Sequence, residues 1–339
     1  MVGWSGTIAP LSDFHFDYLT KRPSDDMTNP PVCNYEGSDY QSSFWDQGGR
    51  EYEDRTEAIA LKRLLPKHGR LMLELGAGAG RNTSRYLGFD RVFLLDYSRT
   101  QLEQAQQRLG KSDQYIYVAA DVYRLPFNDG LFDAATMIRV LHHMADAPKA
   151  LKQVRNVLQP GATFILEFAN KLNLKAILRY LLGRQKWSPF TLEPVEFVEL
   201  NFDFHPKAVK NLLKDLGLSI ERTLTLSHFR VGILKRIVPT GVLVFFDSIF
   251  QWTGALWQLS PSVFVKARRD SSQGQFGVET TPALANLLMF FKCPDCGHSP
   301  LVDNKNHLEC LGCKKKWEFK DGIYDFREPM NMTHPEFNL

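Results

Sequence analysis

Arg70-Leu71-Met72-Leu73-Glu74-Leu75-Gly76-Ala77-Gly78-Ala79-Gly80-Arg81 is the stretch on which the fold turns. Its apolar run, 70–75, ends at glycines spaced G-x-G-x-G and precedes a segment with helical character. A run this short, bounded by glycine, reads as a buried strand. Glycines at such a turn let the backbone approach a ligand where a side chain would collide. The dinucleotide fingerprint is G-x-G-x-x-G, and one residue is missing here, so no pyrophosphate need be held. Glu74, two residues before Gly76, would repel a phosphate but suits a cationic amino group.

Outward from this loop, strand-like and helix-like segments alternate. Residues 91–96 (RVFLLD), 115–121 (YIYVAAD), a part of 131–141 (LFDAATMIRVL) and 163–168 (TFILEF) read as strands. Between them, 98–110 and 146–162 are amphipathic, the latter stopped by Pro160-Gly161, and 51–65 is a helix on the spacing of Ile59, Leu61, Leu64 and Leu65. Strands alternating with helices predict parallel pairing through right-handed crossovers, hence an open α/β sheet with helices on both faces. Asp96 ends the second strand, where an acid can accept from both hydroxyls of a ribose. Asp121 ends the third, where its carboxylate and the amide of Val122 can read the edge of a purine. Three strand ends on one rim thus offer contacts for an amino acid, a ribose and an adenine.

ELGAGAGR, LLDYS, AADVYRLPF, FDAATMIRVLHHM and LQPGATFILE, in this order, resemble the successive motifs of class I S-adenosylmethionine-dependent methyltransferases of the type 11-like kind. The similarity is close over residues 70–170, and 51–69 and 206–268 fit the family's N-terminal helix and last two sheet strands. The resemblance implies a Rossmann-like, seven-stranded sheet whose final strand, PSVFVKAR (261–268), is inserted antiparallel. It also implies that Gly76, Ala77, Gly78 and Gly80 line the methionine and ribose, with Glu74 near the amino group. Asp96 then holds the ribose, Asp121 and Val122 read the adenine, and Tyr97 and Arg139 belong to the same cofactor-binding set.

Methyl transfer from a sulfonium is an in-line displacement, so the protein must align a nucleophile and, where needed, remove its proton. His142, His143 and Glu167 lie at strand ends on the reacting rim and are the substrate-pocket candidates. No catalytic residue is assigned. Met137-Ile138-Arg139-Val140 lacks the Asn/Asp-Pro-Pro-aromatic motif of enzymes that methylate exocyclic amines of adenine or the amide of glutamine. Cys33 is isolated in the leader, remote from the motifs, and is expected to be inert.

Composition frames these motifs. The 339 residues suggest roughly two domains at about 150 residues each. Forty-one Lys and Arg against thirty-eight Asp and Glu exclude a strongly basic nucleic-acid coat or an acidic tail. Residues 1–50 read as an irregular leader without a signal-peptide pattern, so the expected compartment is cytoplasmic. The methyltransferase domain is expected over 51–269, with an apolar insertion (about 169–259) acting as a lid over the acceptor pocket. In it, 240–259 carries Asp247 as its one charge and is expected to form a buried lid helix rather than a transmembrane span. A linker over 270–289, a module over 290–328 and a tail over 329–339 complete the chain.

That module holds Cys293-Pro-Asp-Cys296 and Cys310-Leu-Gly-Cys313, two C-x-x-C pairs. Each pair places two thiolates on one turn, and together they predict a tetrahedral structural zinc site with no open position. With its tail KKKWEFKDGIYDF, the module resembles the zinc ribbons of the methyltransferase-activator type. The reading is a methyltransferase acting on a small or lipid-like acceptor, with S-adenosylmethionine as cofactor and structural zinc. Its rivals are an rRNA or tRNA methyltransferase whose ribbon, with Lys314, Lys315 and Lys316, docks RNA, and a non-catalytic cofactor-binding scaffold. A protein partner is a further expectation for the ribbon.

Overall fold

A computed structural model describes residues 30–271, apart from 40 and 48, and residues 287–330. Leader residues 1–29, the linker stretch 272–286 and tail residues 331–339 lie outside the described residues, and every element below belongs to the unit Pro31–Leu339. In chain order, α1 (Glu51–Leu64) leads into β1 (Gly69–Leu75), β2 (Phe89–Asp96), α2 (Arg99–Leu109), β3 (Tyr115–Ala119), β4 (Phe132–Met137), α3 (Ala147–Val157) and β5 (Leu158–Ala169). There follow α4 (Leu174–Leu181), a hairpin of β6 (Val195–Val198) and β7 (Asn201–Asp203), α5 (Pro206–Asp215), β8 (Leu218–Leu226), α6 (Gly232–Ile237), α7 (Thr240–Phe250) and β9 (Ser262–Arg269). Four short strands close the chain: β10 (Val302–Asp303), β11 (His307–Glu309), β12 (Lys316–Lys320) and β13 (Ile323–Asp325).

Seven strands run β3-β2-β1-β4-β5-β9-β8, with β9 antiparallel between β5 and β8. This is the Rossmann-like order expected from the sequence. The strands alternate between two cores, as period-2 geometry demands. Leu71, Leu73 and Leu75 of β1, Phe93 and Leu95 of β2, and Phe164 and Leu166 of β5 face one core with α3 and α5. Met72, Val92 and Leu94 face the other with α2, and Ile165 and Phe264 meet Ala60, Leu61 and Leu64 of α1. Helix ends obey local chemistry: Ser98 Oγ accepts from Gln101 N at 3.2 Å, and Asp146 caps α3 through Lys149 N at 2.9 Å.

The sheet does not stop at β3. β13 pairs parallel with β3, Ile323 to Tyr117 through Asp325 to Ala119, so the cysteine module extends the sheet to eleven strands. A bare parallel edge presents unpaired N–H and C=O groups, and the module's last strand covers them. Phe290, Phe291, Trp317 and Phe326 enter the same core as Phe93 and Phe127.

Four local departures from the sequence reading have physical causes. After the glycine loop there is only a 3₁₀ turn, Thr83–Arg85, because Thr83 Oγ1 donates to Glu74 at 2.6 Å. β5 begins at Leu158 and carries Pro160-Gly161 across a register shift opposite Phe132/Ala134, the kind of site where a strand tolerates proline. Within the insertion, the apolar run 170–187 is helical only in α4, and Gly183 at φ +67 follows its end. The lid helix expected over 240–259 is shorter, α7 starting after Pro239, which parts it from α6, and giving way to a 3₁₀ turn at Gln251–Ala255.

Candidate functional site

Strand order reverses beside β1: β2 and β3 lie on one side, β4 and β5 on the other. Ligands of open α/β sheets bind in the crevice at the carboxyl ends of such strands. A cleft opens there. Of the expected cofactor set, Glu74, Gly76, Ala77, Gly78, Asp96, Tyr97, Val122 and Arg139 line it, and so does His143. Gly80, Asp121, His142 and Glu167 do not.

The three loop glycines differ in what surrounds them. A Cβ on Gly76 would collide with Val140, and one on Gly80 would come within 2.8 Å of Leu109 and 3.3 Å of Ala105 on α2. Gly78, at φ +53, faces open cleft, where the nearest atom to a Cβ would be Gln101 Oε1 at 3.9 Å. Beside it, Asp96 Oδ2 accepts from Gly78 N at 2.8 Å and Oδ1 from Ser98 N at 2.9 Å. Each oxygen keeps a lone pair for a further donor. Burial pushes the Asp96 carboxyl up from its ordinary range. Glu74 is buried too, and its carboxyl is pushed up to about 7 despite hydrogen bonds from Thr83 and Tyr86, the latter at 3.0 Å.

Arg139 sits in the left-handed region at φ 59, an unusual place for a non-glycine residue. Two acids hold it there: Glu167 Oε2 accepts from its backbone N at 2.8 Å, and Glu57 Oε1 accepts from its Nε at 2.6 Å. Burial alone would raise Glu57, but Arg139 and Arg81 keep it ionised below the usual carboxylate range. Glu167 therefore positions Arg139, and its other oxygen accepts from Ser262 Oγ at 2.7 Å. His142 lies against His143, ring centroids 4.0 Å apart and tilted by 43°, and is held neutral by burial and by its neighbours His143, Arg139 and Arg230. Asp121 accepts from Tyr123 N at 2.9 Å and faces Arg124 at 3.9 Å.

His143 has both ring nitrogens engaged. Nδ1 donates to Leu200 O at 2.9 Å, which leaves Nε2 as the acceptor, 3.2 Å from the hydroxyl of Tyr35. Burial lowers its pKa, so the ring is neutral near pH 7.

The roof is the larger surprise. Among the lining residues none comes from 169–259, the expected lid; the leader supplies Val32, Cys33, Tyr35, Gln41 and Trp45 instead. Trp45 is buried, with the Arg81 guanidinium 3.6 Å and that of Arg139 4.9 Å from its ring centroid. Glu36 anchors the same segment by accepting from the backbone N of Arg99 at 2.9 Å and of Thr100 at 3.1 Å, at the positive end of α2. Cys33, remote in sequence, thus stands in the cleft; burial raises its thiol, which keeps it a poor nucleophile. An aromatic-bearing segment with no periodicity gave no signal for this role beyond the presence of Trp45 itself.

Away from the cleft, the sulfurs of Cys293, Cys296, Cys310 and Cys313 all lie within 4.8 Å of one another. Cys293 and Cys310 are buried beneath the knuckles, and Gly312 allows the close approach of His298. Among the described residues, no helix is long and apolar enough to cross a membrane.

Residues 73–166 match the family model described as a methyltransferase domain. The chain is 38% identical over 125 residues to a 2-phytyl-1,4-naphtoquinone methyltransferase of Nostoc punctiforme, covering 34% of this chain and 54% of that protein. It is 30% identical over 151 residues to the O-methyltransferase cnsE of Penicillium expansum, covering 42% and 55%. The chain thus spans about half the length of these curated relatives. A chain from the complex between the Haloferax volcanii Trm112 methyltransferase activator and a candidate methyltransferase is similar at 16% identity and a TM-score of 0.49, over 68% of this chain and 96% of that one. The matched methyltransferase domain runs from within β1 to within β5, and so contains the glycine loop, Asp96, Asp121, Arg139 and both histidines.

Proposed function

We propose that this chain binds S-adenosylmethionine at the β1–β4 crevice and transfers its methyl group to a small or lipid-like organic acceptor. The observation that carries the reading is the pairing of Gly78, open to the cleft, with the Asp96 carboxylate 2.8 Å from its amide. The residues present fit the cofactor: a cradle that a Cβ would fill, a strand-end acid with free lone pairs, and a buried acid, Glu74, facing an amino group's place. When bound, the cofactor supplies an electrophilic methyl on a sulfonium. Asp96 orients the ribose, Val122 offers its backbone to the adenine, and the Trp45 roof excludes water. His143 Nε2, neutral and holding the Tyr35 hydroxyl at 3.2 Å, takes the proton of a hydroxyl acceptor that displaces this tyrosine. A relative named for a phytyl-bearing naphthoquinone supports the lipid-like end of the acceptor class.

The four-cysteine cluster fits structural zinc, since sulfurs about 2.3 Å from one ion fall within the observed mutual spacing. We infer that its task is to hold β13 on the β3 edge. Of the three lysines beside the second knuckle, Lys315 is already paired with Asp295, and no observation favours RNA as the acceptor.

Calorimetric titration with S-adenosylmethionine tests the cofactor assignment. Asp96→Ala should lose charge-assisted hydrogen bonds worth roughly 1.5–3 kcal/mol, at least tenfold in affinity. Gly78→Val should abolish binding, because its side chain takes the ligand's space. Unchanged affinity in both variants would remove the cofactor from this cleft. Labelled cofactor incubated with fractionated extract then reports the acceptor class by whether label enters organic-soluble material, RNA or protein.

A further inference from the structure

We propose that the outward face of α7, the turn after it and α4 form a docking surface for an anionic lipid bilayer. The inference goes beyond the cleft's chemistry and stands on different residues.

α7 is apolar on both sides. Its inner face buries Leu243, Val244 and Asp247, and Tyr52 of α1 packs there. Asp247, the one charge in this stretch, is buried and accepts at Oδ2 from Tyr52 OH at 2.6 Å and His228 N at 2.9 Å, so its charge lies inside the protein and not on the outer face. The sequence reading buried the whole helix; the structure buries only this half. Val242, Phe245, Phe246 and Ile249, spaced i, i+3, i+4, i+7, point outward, with Phe245 60% exposed. The chain continues with Trp252, Leu256 and Trp257, all exposed. α4 joins this surface through a main-chain bond from Leu174 N to Leu259 O of 2.8 Å and presents Leu174, Leu178, Leu181 and Leu182 to solvent. A surface helix of a soluble protein turns polar residues outward, and contiguous apolar patches mark interaction sites.

Charge identifies the occupant. Residues 171–187 carry five Lys and Arg and no acid, and 230–261 carry three with Asp247 as the lone acid, in a chain whose net charge is only +3. Lys175, Arg184, Lys186 and Arg236 are exposed and make no ion pair among the described residues. A face both apolar and cationic repels a second copy of itself. It matches a surface with negative headgroups above an apolar interior. The two tryptophans have the amphipathic rings that settle at headgroup depth. The first acids after residue 187 are Glu193, Glu196 and Glu199, exposed before and within the β6–β7 hairpin. At eleven residues, α7 is about 16 Å long and must lie in the membrane plane rather than span it.

Flotation of the full chain with vesicles of 70% phosphatidylcholine and 30% phosphatidylglycerol tests this, with pure phosphatidylcholine as control. Co-flotation should be at least tenfold greater on the anionic vesicles, fall severalfold in 0.5 M NaCl, and coincide with a blue shift of tryptophan emission. Phe245→Ser/Trp257→Ser should lose at least tenfold of this partitioning with unaltered melting temperature, and Arg184→Glu/Lys186→Glu should lose the preference for anionic vesicles. Failure of the full chain to float, or flotation unchanged in Phe245→Ser/Trp257→Ser, would overturn the proposal. So would a stable dimer, or a complex with an acidic protein, that these same substitutions dissolve. None of these outcomes touches cofactor affinity, so failure here is distinguishable from failure of the cleft assignment.

Discussion

Residues of one type in one motif do different work here. The G-x-G-x-G spacing locates the turn in the sequence, but only packing separates Gly78, which faces the cleft, from Gly76 and Gly80, which make room for Val140 and α2. The strand-end rule selected both Asp96 and Asp121, because both end strands on one rim; Asp96 lines the cleft and Asp121 does not. Each accepts from the amide two residues on; they differ in the second oxygen, which takes Gly78 N at 2.8 Å in Asp96 and faces Arg124 at 3.9 Å in Asp121, a difference invisible in spacing. Glu74 is the residue whose environment makes the sharpest demand. Its carboxyl rises from 4.5 to about 7, principally through burial. The folded chain therefore holds a proton that the unfolded chain has lost between those values, and its contribution is full below about pH 4.5 and gone above pH 7. The difference is on the order of 3 kcal/mol. Urea unfolding at pH 5 and pH 8 should show this decline in the native protein and a shallower one in Glu74→Gln. An ammonium bound nearby would draw Glu74 to its ionised form, so cofactor binding at pH 6.5 should release a proton. The binding enthalpy should then vary with the ionisation enthalpy of the buffer, and cease to vary in the glutamine variant.

Elements were legible where periodicity marked them. β1 through β5, α1 through α3 and β9 follow from alternation of apolar runs with amphipathic ones, since burial on both sheet faces leaves that pattern in the chain. The roof over the cleft left none. Val32–Trp45 is held by Glu36 at the N-terminus of α2, by Tyr35 on His143 and by Trp45 under two guanidiniums, a set of single contacts without a repeat. The insertion at 169–259, the expected lid over the acceptor pocket, supplies none of the residues that line this cleft. Its contribution to the cleft is indirect, through the Leu200 carbonyl that fixes the His143 tautomer. Trp45→Ala tests the division of labour. A desolvated cation–π contact is worth about 2 kcal/mol, and its loss should free the leader without unpacking the sheet. Stopped-flow measurement should find cofactor release faster by roughly tenfold or more, while the thermal midpoint moves by only a few degrees. A large drop in midpoint with unchanged release would mean that Trp45 belongs to the core rather than to the roof.

The whole molecule has one main core where the sequence suggested two. A C-x-x-C module with its own linker reads as separable, and a domain of some forty residues with a metal site commonly folds alone. Here Phe290 and Phe291 pack edge-on and stacked against Phe93 and Phe127, and Trp317 and Phe326 continue the same cluster. Backbone bonds tie the two parts further: Asn128 N to Phe290 O at 3.0 Å, Lys292 N to Pro126 O at 2.9 Å and Phe326 N to Ala119 O at 2.7 Å. Each of the four buried rings is worth about 1.5–3 kcal/mol, together comparable with the 5–15 kcal/mol that stabilises an ordinary domain. Neither the rings nor the β13–β3 pairing could be read from a chain in which the partners stand about 200 residues apart. The consequence is a loss of modularity. Cys310→Ser should release the zinc we assign to the cluster, seen with a colorimetric chelator. The same substitution should lower the main calorimetric transition by about 10 °C or more, since each kcal/mol is worth about 2–4 °C in a chain of this size. Cofactor affinity should fall with it, because β3 and Val122 lose the strand and rings that hold the adenine side of the cleft. A variant that loses zinc yet keeps both its main transition and its affinity would show that the module folds by itself and merely rests on the sheet.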